Sequence, residues 1–209
     1  MPARLRPTAP IAADAVLVGD PGRALMLAQE LLEEPKMSNH ARGLWGYSGR
    51  TPEGLDLTIQ STGMGGPSAA VVLADLAKLG VRRAVRVGTC AAVEPGLEPG
   101  TLLVVNEAVG TAAARPDSEL TTRLQNALGE EGAVARVASL DDPHADPPAG
   151  VVAADMQTAA LLARGRDLEI ALAAVLIVER SASGERIADE ALEDDAKRAG
   201  HAAARVFST

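Results

Sequence analysis

The stretch "STGMGGPSAAVVLADLAKLGVRRAVRVGTCAAV", residues 61–93, decides the fold. It continues from "LDLTIQS" (55–61), which alternates like a half-buried strand. Glycines at 63, 65 and 66 break that strand. Pro67 then suits the first turn of a helix, where a missing N–H costs nothing, and Gly80 suits its end. "VRRAVRV" (81–87) resumes as another strand. Strand, glycine turn, helix and strand in 33 residues predict an α/β unit. One residue is out of character. Arg86 puts a guanidinium into an otherwise apolar strand, just before the small residues Gly88, Thr89, Cys90, Ala91 and Ala92. Either it faces water on an edge strand, or something anionic sits at that strand end.

Outward from this unit the same alternation continues. "AVLV" (15–18) predicts a strand, and Asp20 and Pro21 predict the cap and first turn of a helix running through "DPGRALMLAQELLEEP". "TLLVVNEAV" (101–109), "ARVASL" (135–140) and "EIALAAVLIV" (169–178) read as further strands. "DMQTAALLARG" (155–165) and "DEALEDDAKRAGHAAARVF" read as helices, and "DDPHADPPAG" (141–150) as a loop. The expectation is an α/β fold with helices on both faces of the sheet, in one domain over residues 1–209.

Composition bounds the function. The chain has 209 residues, 47% of them hydrophobic, and a formal charge of −8, so nucleic acid is not an expected partner. One Trp, one Tyr and one Phe supply no base-stacking platform. A single cysteine rules out an internal disulfide and a cysteine-built zinc site, and His40, His144 and His201 are scattered, so no metal is expected. The lone cysteine, and an N-terminus without the apolar core of a leader, predict a cytoplasmic protein. No run approaches the roughly 18–20 apolar residues that span a bilayer, so no membrane is expected either.

Ligands of open α/β sheets collect where strands end. Gly19-Asp20-Pro21, Gly63-Met64-Gly65, Gly88-Thr89-Cys90 and Glu179-Arg180-Ser181 all follow predicted strands and converge if those strands are parallel. "GMGGPS" invites a dinucleotide reading, but Ser68 stands where Gly or Ala belongs. Arg82 and Arg83 stand where a ribose-binding acid is needed. An anion is the better guest. Arg23 lies in the first turn of a helix, where unpaired N–H groups already favour negative charge. Arg86 and Thr89 offer a guanidinium and a hydroxyl. Spacing alone leaves open whether these groups meet or are simply solvated.

"VGDPGRA", "ARGLWGYSG", the 61–93 block and "ADMQTAAL" resemble, in order and spacing, the nucleoside phosphorylase family of hexameric bacterial purine nucleoside phosphorylases and uridine phosphorylases. The ending "VLIVERSASGERIADEALEDDAKRAGHAAARVF" is more similar to uridine phosphorylase, which has an arginine and then a hydroxyl residue where purine enzymes carry a catalytic aspartate. The resemblance implies a three-layer phosphorylase/hydrolase-like fold, a central mixed twisted sheet flanked by helices. It implies phosphorolysis of a nucleoside, uridine-like by preference, with inorganic phosphate as co-substrate and no cofactor. It further implies a phosphate site of Gly19, Arg23, Arg86 and Thr89, with Arg42 lent by a neighbouring subunit of a homo-oligomer, a dimer or a hexamer. Met64, Met156 and Gln157 match ribose contacts; Cys90, Ala91 and Arg180 match the base pocket, Arg180 as the hydrogen-bond donor to the base. Met64, Met156 and Cys90 also read as plain packing residues.

The chain departs from the family in three places. Gln157 replaces the glutamate that grips the ribose hydroxyls, losing its charge. Ala3 or Arg4 stands where an N-terminal histidine would reach a neighbour's sugar. The segment 139–155 is shortened, deleting an aromatic over the sugar and the residues that read uracil; His144 is a candidate replacement for that aromatic. These changes predict that phosphate binding survives while turnover is weak or altered. They leave as rivals a non-catalytic phosphate- or nucleotide-binding paralogue and a nucleosidase that uses water.

Overall fold

The computed structural model describes residues 4–208. In chain order it contains β1 (Asp14–Val18), α1 (Pro21–Leu31), β2 (Glu33–Asn39), β3 (Gly46–Arg50), β4 (Asp56–Ser61), α2 (Gly66–Leu79) and β5 (Arg83–Ala92). Then follow β6 (Leu102–Val109), β7 (Ala113–Ala114), α3 (Ser118–Leu128), β8 (Gly132–Ser139), β9 (Ala153–Asp155), α4 (Thr158–Asp167), β10 (Ala171–Arg180) and α5 (Asp189–Arg205). One ten-stranded mixed sheet holds them together.

β1 lies parallel to β4 and β5, and β5 parallel to β10, so all four end on the same rim. β5 is also paired at its far end with β9, and the path β10–β6–β8–β9 returns to β5, closing part of the sheet on itself. β2 and β3 continue the sheet beyond β4 as an antiparallel edge.

Alternation along the strands sorts the core into two layers. On β10, Leu172, Ala174, Leu176 and Val178 pack with α2 and α4, while Ala173, Val175 and Ile177 pack with α1, α3 and α5. On β5, Val85 and Val87 join the second layer, and Ala84, Cys90 and Ala92 the first. Strand side chains two residues apart share a face, so Arg86 and Gly88 point toward α2 and α4. The guanidinium is therefore not on an outer edge: β5 lies between β1 and β10.

Three boundaries differ from expectation. The first helix was expected to run to Pro35, but it stops at Leu31 because Leu32 turns extended and β2 begins at Glu33. Gly88–Cys90 is no loop: β5 continues to Ala92 because Leu176, Ile177 and Val178 of β10 pair with it. Residues 155–157 precede α4 rather than opening it, and Ala153–Asp155 is a short strand.

Candidate active site

Four strand ends on one rim surround a cavity of about 640 Å³. Its wall takes Gly19, Asp20 and Arg23 from the β1–α1 turn, Gly63–Gly65 from the β4–α2 turn and Arg86 with Gly88–Ala91 from β5. Asp155, Met156 and Gln157 precede α4, and Glu179, Arg180 and Arg186 close the far side.

Arg86 forms the floor and is almost wholly buried. Each guanidinium nitrogen has its own acceptor on the segment entering α4. Nη2 donates to Asp155 Oδ2 at 2.9 Å, Nη1 to Gln157 Oε1 at 2.7 Å, and Nε to Thr158 Oγ1 at 3.0 Å. Asp155 is held in turn by the Ser139 hydroxyl (2.5 Å) and by the Thr158 hydroxyl (2.6 Å) and backbone N–H. The ion pair has side-chain exposures of 5% and 1%. A lone cation would be badly placed against the N-terminus of α4, whose dipole is positive; Asp155 removes that conflict. Gly88 makes the arrangement possible: a Cβ there would stand 2.6 Å from Arg86 Nη2 and 2.9 Å from Leu176 Cδ2. Three of the five guanidinium N–H groups are spent internally. Two are left.

Arg23 faces the same cavity from the first turn of α1. Asp20 caps that helix by accepting from the Arg23 backbone N–H at 2.8 Å. Burial lowers the pKa of the Arg23 guanidinium, Asp20 and Glu179 raise it, and the nearby charge of Arg86 lowers it again. Two guanidinium groups that line one cavity repel each other, and an anion between them relieves that repulsion.

Gln157 is also buried. Its Oε1 accepts from Arg86 and from Thr62 Oγ1 (3.1 Å), and its Nε2 donates to the Gly63 carbonyl. It thus ties β5 to the β4–α2 turn and keeps one N–H for the cavity. Met156 lines the wall half-buried, whereas Met64 stands at the rim, 81% exposed. Cys90 and Ala91 line the base of the wall; burial and the nearby Asp155 charge push the Cys90 thiol well above its ordinary pKa, so it stays protonated. Thr89 is half-buried and lines the cavity. Arg180 is exposed at its mouth.

Sequence reading missed Asp155 and Thr158 as the partners of Arg86, and missed Arg186 altogether. Ser181 accepts backbone hydrogen bonds from Gly184 and donates to Glu185, a tight return that sets Arg186 opposite Arg180. Gly184 was the available signal. The shortened segment still contributes a wall through Leu140 and Pro143, while His144 is not among the lining residues. Arg42 does not reach this cavity in its own chain; it lines a second one with Arg4, Arg6 and His40. Ala3, the other residue at the histidine position, lies outside the described residues.

A family model described as Phosphorylase superfamily matches residues 14–209. The chain belongs to the phosphorylase superfamily. Within it, the chain is similar to a purine nucleoside phosphorylase DeoD-type from Geobacillus kaustophilus, 30% identical over 177 residues, 74% of this chain and 75% of that one. A DeoD-type relative from Oceanobacillus iheyensis is 35% identical over 119 residues, 56% of this chain and 48% of that one. A uridine phosphorylase from Haemophilus influenzae is 32% identical over 129 residues, 56% of this chain and 50% of that one. The chain thus matches about half the length of several curated phosphorylases, and purine enzymes lead among them.

Proposed function

We propose that this chain is a nucleoside phosphorylase that cleaves an N-glycosidic bond with inorganic phosphate, giving free base and pentose 1-phosphate, with a uridine-like nucleoside as substrate. The observation that carries the reading is the meeting of Arg23 from α1 with Arg86 and Thr89 from β5 around one cavity, although 63 residues separate the two arginines in the chain. Charge-assisted hydrogen bonds of the kind these groups offer contribute about 1.5–3 kcal/mol each, enough to hold a dianion in a chain of negative net charge.

In this reading Gly19, Arg23, Thr89 and the two remaining N–H groups of Arg86 seat phosphate. Arg42 of a neighbouring subunit completes the site, which makes a homo-oligomer part of the chemistry. Phosphate attacks the anomeric carbon while the bond to the base breaks, through an oxocarbenium-like transition state. The protein needs no covalent nucleophile; it positions the phosphate, whose negative charge faces the developing cation, and stabilises the departing base. Met156 and Met64 pack the sugar, and the spare Gln157 N–H donates to a ribose hydroxyl. Cys90 and Ala91 line the base. Arg180 donates to a base carbonyl as negative charge gathers there, and that arginine, followed by Ser181, favours a pyrimidine over the purines named for most relatives.

The test is base release from a panel of uridine, thymidine, inosine and adenosine, with and without phosphate. Release from uridine only when phosphate is present is expected. Release without phosphate would mean a nucleosidase, and none from any member a binding paralogue.

A further inference from the structure

Glu179 brings a carboxylate into the wall of a cavity read as an anion site. Phosphate gives it no task, since an oxyanion repels it and offers it no N–H. The other carboxylates of the wall are engaged: Asp155 pairs with Arg86, and Asp20 caps α1. Glu179 spends one oxygen only. Arg186 Nη2 donates to its Oε1, and among the described residues Oε2 accepts no hydrogen bond.

The local backbone holds Glu179 in this place. β10 is irregular here: Val178 pairs with Cys90 and Arg180 with Ala91, so Glu179 has no partner on β5. A bulge of this kind re-aims the side chain it frees. The Glu179 carbonyl accepts from the Ile187 N–H at 2.9 Å, and the Ser181 N–H donates to the Glu185 carbonyl at 2.8 Å. The chain therefore folds straight back, and Arg186 bridges Arg180 across the return. Of the ion pair, Glu179 is the more buried partner, its side chain 30% exposed against 69% for Arg186. After burial and the Asp155 charge, the Glu179 charge is a further cause of the raised Cys90 pKa. The carboxylate thus acts on the wall that Cys90 and Ala91 form, beside Arg180.

We infer that Glu179 selects the base: its open oxygen accepts the N–H of a lactam edge, while Arg180 donates to the adjoining carbonyl and Arg186 keeps the carboxylate in position. Such an edge, a ring N–H beside a carbonyl, belongs to uracil and to 6-oxopurines. The inference rests on the phosphorylase reading and deepens it by naming the residue that reads the base. An aminopyrimidine or aminopurine carries a lone pair on the corresponding ring nitrogen, which would face the carboxylate. A site built to accept an N–H rejects the analogue without one, because its own acceptor is left unpaired. Glu179→Gln inverts the code. Arg186 retains the amide carbonyl, and the amide NH2 then donates where Oε2 accepted.

Calorimetric titration in phosphate-free buffer tests this, with uridine, N3-methyluridine, cytidine, inosine and 1-methylinosine added to the wild type and to Glu179→Gln. The wild type is expected to bind uridine at least about tenfold tighter than N3-methyluridine or cytidine. Glu179→Gln is expected to bind cytidine at least as tightly as uridine, a reversal that a merely structural role would not produce. If a purine is the guest, the same margin separates inosine from 1-methylinosine. Methylated and unmethylated nucleosides bound equally by the wild type would overturn the inference, as would no nucleoside binding at all. So would equal weakening of uridine and N3-methyluridine in Glu179→Gln, which would put Glu179 on the sugar. The wild-type comparison stands even if the variant fails to fold. Base release separates the two readings. A chain that shows the margin but never releases base with phosphate would refute the phosphorylase reading alone. A chain that releases base from uridine and N3-methyluridine with equal kcat/KM, only when phosphate is present, would refute this one alone.

Discussion

Replacing Arg86 with alanine should damage the fold before it damages the chemistry. The substitution removes three hydrogen bonds and leaves the Asp155 carboxylate, its side chain 1% exposed, with the Ser139 and Thr158 donors but no counter-charge. Breaking a buried pair on one side costs about 3–5 kcal/mol. Set against the roughly 5–15 kcal/mol that holds a domain folded, that is a large share. For a chain of this size it corresponds to a fall in Tm of about 6–20 °C. Adding Asp155→Asn removes the stranded charge and should restore about 2 kcal/mol or more, because what remains is a set of ordinary polar contacts. Urea unfolding of wild type, Arg86→Ala, Asp155→Asn and the double variant forms a cycle that reads the coupling directly. Arg86→Ala within 1 kcal/mol of wild type by that measure, or a double variant no more stable than Arg86→Ala, would refute the argument. The cycle also decides how activity data are read, since lost turnover in Arg86→Ala alone reports unfolding as readily as lost phosphate binding.

Gly88→Ala should push Arg86 off its seat, because the new Cβ meets Nη2 at 2.6 Å and Leu176 Cδ2 at 2.9 Å. The expected cost is about 1–3 kcal/mol in urea unfolding, with at least a tenfold rise in KM for phosphate by initial rates. Arg180→Ala, at the exposed mouth, should lower kcat for uridine by roughly 10–100-fold with phosphate KM and Tm nearly unchanged. Asp155→Asn alone should strip Arg86 of its neutralising partner, so phosphate KM falls while kcat also falls as the guanidinium loses its fixed orientation; equal effects on both would count against a positioning role. Cys90, buried and with its pKa raised, is a neutral thiol at pH 8, so iodoacetamide should label it only after denaturation. Rapid labelling of the native chain, read by mass spectrometry, would contradict that environment.

Local signals carried the βα units well. Asp20 and Pro21 cap and start α1, and Gly80, with φ at 109°, ends α2 as its position suggested. β2 was hidden because "EEPKMSN" is a charged edge strand with mostly exposed side chains and no apolar alternation. α3 went unread because only Leu120, Leu124 and Leu128 face the core, a stripe too narrow to stand out among polar neighbours. The closure of β5 through β10, β6, β8 and β9 depends on pairings far apart in the chain, which no local pattern encodes.

The site divides in the same way. Residues following strand ends could be named in advance, because parallel strands bring their ends together whatever lies between. The partners of Arg86 could not. Asp155, Gln157 and Thr158 lie 69, 71 and 72 residues away, and only the packing of α4 against the α2 side of the sheet brings them under β5. The guanidinium that seemed out of place in an apolar strand is seated by that helix, with two donors left over for a guest.

The most direct test of the phosphorylase reading follows the oxygen at the anomeric carbon. Uridine and unlabelled phosphate are incubated with the chain in ¹⁸O-water, and the sugar product is read by mass spectrometry. Attack by phosphate predicts pentose 1-phosphate with no label at the anomeric oxygen. Free pentose carrying the label there would show that water had done the work, and the arginine-lined cavity would not be a phosphate-activating site.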